Sequence, residues 1–463
     1  MSKSATQILL KYVRKPWFTF GLASIGILCC LSGLLLLAAH FSKQAILHVQ
    51  RGEYSTAIAY TEKSRPIVTT FNTLTFSAIP DLIVWQAALE LPVQTAELTD
   101  SAVLVMQSSL SGTDSASVES VLPSLAKIKN SLLLIQKNLP NTFLIQDEVP
   151  PDYQKLLQES SKSIGDIETI LTSLSQGKQT WVVLLQNSEE IRATGGFPGS
   201  YVLLNFDTGM LREIIVEDIY DADGQFLGYV AAPPGIREYT SGDKGLRLPD
   251  ANWWPDFPES AQTMMQFFAL GDKNNIAGLV AINLDAAKAV LEVTGPLLLP
   301  DYDVEVTKDN IGEVLRTERS EFFPGSIQKK HLLQLTLTQL KQKMSELDSS
   351  QKQALASALK NQLEQKEVQL FSTNPEIQDI FSELAVAGEL AVKAATNEQL
   401  IQDCLCTPIE LAIVESNVGI NKVNRYVTRK HQLNFTDQQL TIETTFSNNA
   451  APPSATELSA LVA

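Results

Sequence analysis

The stretch that decides the fold is TWVVLLQNSEEIRATGGFPGSYVLLNFDTGMLREIIVED, residues 180–218. It contains three apolar runs of strand length, and Asp207-Thr208-Gly209 between the last two predicts a β-hairpin. The predicted strands are 180–187, 199–206, 211–218, 278–283, 368–372 and 411–415, with a final hairpin at 425–435 and 439–447 that turns near Asp437-Gln438. Helical patterns occupy 260–270, 285–293, 309–319, 326–366 and 375–395. This mixture predicts an α/β (α+β) domain.

The segment before this domain is almost wholly helical in pattern. A helical hairpin is predicted within 45–68, with Gly52 near its turn and small packing residues at Ala45, Val49, Ala57 and Ala59. Further helices are predicted at 81–110, 117–138 and 151–175. An all-α stalk that holds the next domain off the membrane is one interpretation, and a helical module that binds a partner is the other.

Residues 17–41 contain no charged side chain and are long enough to cross a bilayer, which needs about 20 apolar residues. Four cations and no acid precede this run: Lys3, Lys11, Arg14 and Lys15. The positive-inside rule therefore predicts a single-pass protein of the cell membrane, with a cytoplasmic N-terminus and an extracytoplasmic body. A cleaved signal peptide is the alternative, but its apolar region is usually shorter and ends in small residues.

Charge excludes one class of partner. The chain has 36 basic and 52 acidic residues, a net charge of −16, so the part after residue 41 carries 32 − 52 = −20. Nucleic-acid binding needs clustered Lys and Arg, and we therefore predict no nucleic-acid partner. Four cysteines are too few for a disulfide scaffold. For Cys404 and Cys406, free thiols, a disulfide and a metal site all remain open.

These patterns divide the chain into five segments. They are a cytoplasmic N-terminus at 1–16, a transmembrane helix at 17–41, a helical stalk or bundle at 42–177, the α/β domain at 178–400 and a hairpin-containing C-terminal part at 401–463.

A charged turn follows the first strand and leads into a glycine pair. Gly195 and Gly196 allow positive φ and close backbone approach, so their N–H groups can face an anion. Arg192 is then the charge partner for a phosphate or carboxylate. In the other interpretation, Glu190 and Arg192 form an internal salt bridge that orders the turn. The segment supplies the ligand-binding candidates Asn187, Glu190, Arg192, Gly195, Gly196 and Ser200.

Acidic residues form two further groups nearby. Asp218, Asp221 and Asp223 are candidates for Mg²⁺ or another divalent cation, which prefers carboxylate oxygens, although a solvated turn is the simpler explanation. Asp250, Asn252 and Asp256 complete the ligand-binding candidates. The intervening Trp253 and Trp254 either plug a core under a long loop, stack on sugars or lie at a membrane interface. No cofactor is required by the sequence. A Ser–His–Asp triad is disfavoured, because none of the four histidines falls within 178–300.

Several ordered motifs resemble one bacterial family. NSEEIRATGGFPGSYVLLNFDTG is similar to the Asn-x-x-Glu-hydrophobic-Arg element and Gly-Gly-Phe turn of the membrane-anchored proteins catalogued as domain of unknown function 4012. DANWWPDFPESA (250–261), GLVAINLDAAKAVLEVTGP (278–296), TKDNIGEVL, VQLFSTNPEIQ and AIVESNVGINKVN also follow in the family's order. The resemblance spans about 180–450. Because such proteins usually continue into more β structure, we expect the C-terminal part at 401–463 to be truncated.

A more distant resemblance links the central segment to the LytR-CpsA-Psr family of membrane-anchored phosphotransferases. It implies transfer of a glycopolymer from a lipid-linked pyrophosphate, with Arg192 on the pyrophosphate and Asp218, Asp221 or Asp223 on the metal. Where that family has an Arg-Asp pair, this chain has VEDIYDAD, which is acidic.

We therefore predict a cell-envelope binding or assembly protein without catalysis, in which 187–256 forms a recognition surface. Its expected partners are the bilayer, through residues 17–41, and a cell-wall or lipid-linked glycan. The alternative is a divalent-metal-dependent phosphotransferase. That alternative requires Glu190, Arg192, Asp218 and Asp250 to converge on one cleft.

Overall fold

The structure is a computed structural model that describes residues 16–50, 54–111, 116–145, 152–225, 227–271, 273, 275–317, 327–390, 412–418, 422–436 and 439–450. Cys404, Cys406 and the predicted turn at Asp437-Gln438 lie outside these residues. The chain forms two compact units. The first comprises Met1–Met106 and Val118–Ser173, and the second comprises Gln107–Ser117 and Leu174–Ala463.

The described part of the first unit is helical, as the sequence predicts. Its helices are α1 (Pro16–Gln50), α2 (Tyr54–Leu74), α3 (Pro80–Ser111), α4 (Leu122–Asn138) and α5 (Tyr153–Leu174). Within α1, the segment Cys29–His48 is long and apolar enough to cross a membrane. The apolar length of this segment agrees with the membrane helix predicted from the sequence near the N-terminus.

The predicted helical hairpin is the antiparallel pair α1 and α2. The rings of His48 and Tyr60 stack with centroids 5.3 Å apart. Further along the pair, Ser42 and Ser64 hydroxyls are hydrogen-bonded at 2.8 Å. Ala45 and Ala57 are buried as predicted, whereas the prediction for Ala59 is wrong, because its side chain faces solvent.

The second unit is built on a five-stranded mixed sheet. Its strands are β1 (Lys178–Asn187), β2 (Phe197–Asp207), β3 (Met210–Asp218), β4 (Ile276–Asn283) and β7 (Val368–Ser372). They lie in the order β3-β2-β1-β4-β7. β1 pairs with β4 in parallel, and the other neighbours are antiparallel. The predicted mixture of strands and helices is confirmed.

Helices and short strands complete the second unit. The helices are α6 (Ile219–Gln225), α7 (Phe257–Leu270), α8 (Leu284–Thr294), α9 (Ile311–Thr317), α10 (Ile327–Ser345), α11 (Ser349–Glu364) and α12 (Pro375–Glu383). The short pair β5 (Leu297–Leu299) and β6 (Val304–Val306) follows α8. The core lies between α7 and the sheet, where Met264 and Phe268 of α7 join Leu184, Tyr201 and Leu279 of three strands. Since β1 and β2 carry this core, the turn between them is held on a rigid base.

The hairpin of β2 and β3 closes at a two-residue loop. Asp207 pairs with Met210, which leaves Thr208 and Gly209 as the loop, with φ of 49° and 74°. Positive φ at both central residues defines the type I′ turn, whose twist matches that of the flanking strands. The turn predicted from the sequence is confirmed.

The last predicted strands have different outcomes. The final hairpin is confirmed as β8 (Val427–Thr436) and β9 (Gln439–Asn448). The strand predicted at 411–415 is wrong for its described part, since 412–418 has no regular secondary structure. The backbone of this segment bonds a turn instead of a sheet, as described below.

Candidate functional site

The charged turn, defined as residues 188–196 between β1 and β2, is organised by the side chain of Asn187. Its Oδ1 accepts a hydrogen bond from the Glu189 N–H at 3.0 Å, and its main-chain oxygen accepts one from the Glu190 N–H at 3.1 Å. Asparagine commonly forms such turns, because its short side chain reaches the backbone two residues later. The turn ends β1 and directs the Glu190 side chain into the protein, where it is only 2% exposed.

Arg192 has partners for its guanidinium inside the protein. Nη2 lies 3.2 Å from Glu190 Oε1 and 3.6 Å from Asp250 Oδ1. Nη1 donates to the main-chain oxygen of Asn417, and the guanidinium lies 5.3 Å from the centroid of the Phe197 ring. With only 5% of the side chain exposed, the internal salt bridge is the interpretation that the structure supports. Neutralisation by two carboxylates makes burial of this cation tolerable.

Asp250 is the third member of this charge cluster, and its burial disfavours the ionised carboxylate. Burial raises the pKa of its carboxyl above the ordinary value of 3.8, although the neighbouring Arg192 cation acts in the opposite direction. A carboxylate with a raised pKa is less stable ionised in the folded protein than in the unfolded chain. Within the cluster, Arg192 is thus the group that opposes the effect of burial on the pKa of Asp250.

The two glycines meet different needs. Gly195 has φ of +113°, a conformation that side chains rarely adopt. At Gly196, a Cβ would lie 2.5 Å from the main-chain carbon of Asn187, so the backbone leaves no room for a side chain. Both glycines are explained by the geometry of the turn itself.

A buried network of amide side chains also holds the charged turn. The sequence did not predict this network. Thr194 Oγ1 accepts hydrogen bonds from Gln186 Nε2 at 2.8 Å and from Asn252 Nδ2 at 2.9 Å. Asn252, which is fully buried, also donates to the main-chain oxygen of Gly196 at 2.9 Å. Gln369 of β7 donates to the main-chain oxygen of Thr194 at 3.1 Å. Gln186 and Gln369 are amide side chains in otherwise apolar strands, whereas Asn252 lies in a loop and was predicted as a ligand-binding residue.

A second missed feature is the C-terminal strap, defined as the described residues 412–418 and 422–427. Asn417 N–H donates to the main-chain oxygen of Ile191 at 2.8 Å, and Asn424 N–H to that of Glu189 at 3.2 Å. Asn424 Nδ2 reaches the main-chain oxygen of Ser188 at 3.0 Å. The strap thus donates hydrogen bonds to the main-chain oxygens of three residues of the charged turn.

Two ion pairs connect the strap to its neighbours, one to the charged turn and one to β8. Arg425 Nη1 lies 3.5 Å from Glu189 Oε1, and Arg429 Nε lies 2.6 Å from Glu415 Oε2. A shallow cleft of about 180 Å³ remains between strap and turn, lined by Ile191, Glu415, Ser416, Asn417, Val423, Asn424, Val427 and Arg429. Pockets for small organic ligands usually have volumes of about 300 Å³ or more. This cleft is therefore small for an organic ligand.

The metal candidates are held separately by protein groups. Asp218 Oδ1 accepts the Tyr220 N–H at 3.0 Å. Asp221 pairs with Lys330, whereas Asp223 receives Arg247 at 3.0 Å and the Leu248 N–H at 2.9 Å. Among the described residues, no group of three or more His, Cys, Asp or Glu is placed to hold a metal ion. The donor arrangement does not fit a divalent cation, because separate cations and backbone N–H groups meet these carboxylates.

Glu217, the remaining member of that acidic run, also has a cation. Its Oε2 lies 2.7 Å from Lys273 Nζ and accepts the hydroxyl of Tyr201. Burial, followed by this contact with Glu217, raises the pKa of Tyr201 above its ordinary value. The tyrosine therefore stays protonated and donates.

The remaining ligand-binding candidates have structural surroundings. Ser200 is buried in β2. Asp256 caps α7 by accepting the Glu259 N–H at 3.3 Å, and its other oxygen accepts the Leu390 N–H at 3.1 Å. Ligand binding by these residues stays a prediction.

The paired tryptophans follow the core interpretation. Trp253 and Trp254 are partly buried and pack against the main core. A Cβ at Gly235 would lie 2.6 Å from Cζ2 of Trp253, so the long loop passes directly over this ring.

These observations define a class: a mixed α+β domain whose charged turn is bonded to its own C-terminal strap, preceded by a helix that is long and apolar enough to cross a membrane. Residues 176–319 match the model of the family described as "Protein of unknown function (DUF4012)". The match begins two residues before β1 and ends before β7 and the strap. No curated protein matches the chain significantly.

Proposed function

We propose that this chain is a single-pass membrane protein whose α+β domain faces outward and takes part, without catalysis, in binding or assembly at the cell envelope. The candidate membrane helix and the four cations before residue 17 support this orientation. The acidic charge of the remaining chain agrees with a body that is not drawn to anionic lipid or nucleic acid.

The proposal that the domain has no catalytic activity rests on the charged turn, in which Arg192 and its neighbouring carboxylates are already paired with one another. A phosphotransferase of the kind considered above needs Glu190, Arg192, Asp218 and Asp250 to converge on an open cleft. Instead, Glu190 and Asp250 pair with a buried Arg192, and Asp218 accepts a backbone N–H elsewhere. An arginine surrounded by protein acceptors is not available to a pyrophosphate.

Within the predicted recognition segment 187–256, a different part supports binding. We call residues 227–245 the tyrosine loop. Its base is anchored by Ile236, which is fully buried, and by the Leu246 N–H bonded to the main-chain oxygen of Val230 at 2.8 Å. Tyr229 and Tyr239 are largely exposed in this loop. Tyrosine presents an apolar ring with a polar edge, a surface suited to sugar rings, so we propose a cell-wall or lipid-linked glycan as ligand.

A retention assay tests glycan binding. The full chain in detergent is mixed with purified cell-wall sacculi or with lipid-linked glycan, and the Y229A/Y239A variant is compared with the parent. We expect the double variant to lose about tenfold in affinity, whereas F435A, which removes an exposed aromatic of β8, binds like the parent. Equal retention of parent and double variant, or no retention of the parent, would overturn glycan binding by this loop. Transfer of glycan by the purified chain would overturn the non-catalytic part.

Orientation is tested independently. Protease added to intact cells without an outer permeability barrier should degrade an epitope placed after residue 450 and spare one placed before residue 16. The opposite pattern would contradict the outward orientation while leaving the binding assay unaffected.

A further inference from the structure

Two turns at one end of the helical unit expose large apolar side chains. Phe76 is 93% exposed in the turn between α2 and α3, and Phe143 is 88% exposed in the segment after α4. The exposed apolar residues of these turns, here called the apolar tip, are Leu74, Phe76, Ile79, Phe143 and Leu144. Isolated apolar residues on a surface are common, whereas a cluster of this kind marks a contact site.

The carboxylate of Asp81 joins the two turns. Its oxygens accept the N–H groups of Phe143 at 3.0 Å, Leu144 at 2.7 Å and Ile145 at 3.2 Å. Burial opposes ionisation, but these three N–H groups together hold the pKa of Asp81 below its ordinary value. The apolar tip is therefore one assembled surface, although its parts are more than sixty residues apart in the chain.

The turn that carries Phe76 has an unusual backbone. Phe76 and Ser77 both have positive φ, 54° and 53°. Residues other than glycine rarely adopt this conformation, which costs free energy. The helical unit thus holds Phe76 outward in a strained turn, away from the helix interface.

The position of the apolar tip along α1 follows from the antiparallel pairing. Residue 60 is level with residue 48, residue 64 with residue 42, and Val68 packs on Ala38. Leu74 lies six residues beyond Val68, about 9 Å along the helix axis at ~1.5 Å per residue. It is therefore level with about residue 32 of α1, inside the candidate membrane segment.

The surface of α1 at this level is also apolar and uncovered. Leu31, Leu34, Leu36 and Leu37 are exposed on α1. The two turns add no charged side chain to this surface, because residues 66–80 and 138–145 contain no Asp, Glu, Lys or Arg. The apolar tip and α1 therefore expose apolar side chains at about the same level along the helix axis.

We propose that the apolar tip enters the bilayer beside α1, so that the helical unit is attached to the membrane by two turns as well as by its anchor. Lipid is the occupant because the tip lies level with exposed apolar side chains of the candidate membrane helix. This contact goes beyond the proposed function and does not depend on glycan binding.

Fluorescence quenching by brominated lipid tests the contact in the full chain. F76W and F143W are reconstituted in vesicles of phosphatidylcholine with brominated acyl chains. The matched control is L104W, an exposed position of α3 that lies 24 residues, or about 36 Å, beyond Pro80 along the helix. The emission added by each new tryptophan is obtained by subtracting the parent spectrum. We expect at least about twofold quenching for F76W and F143W and none for L104W.

The other outcomes overturn the proposal. Equal emission in brominated and ordinary lipid for F76W and F143W would place the apolar tip outside the bilayer. Blue-shifted emission that is not quenched would indicate a protein partner, such as a second copy, instead of lipid. Flotation of the parent with vesicles reports the anchor separately, and failure to float would contradict the anchor and this proposal together, while glycan retention in detergent remains testable.

Discussion

The guanidinium of Arg192 donates a hydrogen bond to the main-chain oxygen of Asn417, which lies 225 positions later in the chain. The same residue, Asn417, donates its N–H to Ile191 at 2.8 Å. The strap and the charged turn are therefore reciprocally bonded. The sequence suggests that Arg192 binds an anion, but in the folded protein its guanidinium is already bonded to the strap.

Removal of this arginine should destabilise the domain. In R192M, Glu190 stays buried without its cation, and we expect a loss of about 3 kcal/mol in the free energy of unfolding. Urea unfolding of the full chain in detergent, with hydrogen exchange read in peptides of the domain, measures the change. The double variant E190Q/R192M should regain part of the loss, whereas R237M, at an exposed pair, should unfold like the parent. An R192M protein as stable as the parent would show that the buried pair is not structurally important.

Asp250 predicts a pH dependence of stability. Because its folded pKa is raised, ionisation costs the folded state free energy as the pH rises above 3.8 through the folded pKa. D250N does not titrate, so its stability relative to the parent should improve across this window and then level off. Unfolding curves of both proteins at a series of pH values test the sign. A relative stability that falls as the pH rises would contradict the raised pKa.

The turn of the β2–β3 hairpin can be improved. Thr208 is β-branched and has φ of 49°, a conformation that asparagine tolerates better. We expect T208N to raise the free energy of unfolding by roughly 0.5–1 kcal/mol. T208V, which keeps the branching without the hydroxyl, serves as the control and should not stabilise. Equal stability of T208N and the parent would mean that the turn is not strained at this position.

We expect that the residues of the family match alone do not form a stable fold. A fragment of residues 176–319 lacks β7, which pairs with β4, and lacks the strap that bonds the charged turn. It should leave one edge of β4 unpaired and be aggregated or unfolded. A fragment of residues 176–450 retains both elements and should give dispersed amide signals by nuclear magnetic resonance. A well-dispersed spectrum from the shorter fragment would contradict the structural role of the strap.

Local chemistry made much of the fold predictable. The apolar runs of β1 to β4, the turn at Thr208 and Gly209, and the final hairpin follow from patterns within a few residues. Segment 412–415 was misassigned because its apolar residues resemble a strand, while its neighbours bond the charged turn in place of a sheet. Apolar periodicity reports burial, but it does not report which backbone groups are paired.

For the candidate site, the sequence by itself identified Glu190, Arg192, Gly195 and Gly196 as one element and left two roles open. Only the tertiary structure decided between them, since the partners of Arg192 come from residues 250 and 417 and the amide network reaches β7. Hydrophobic periodicity and turn propensity act over a few residues, so they are legible in one sequence. The pairing of buried charges depends on which distant segments meet in space, and that is a property of the folded chain.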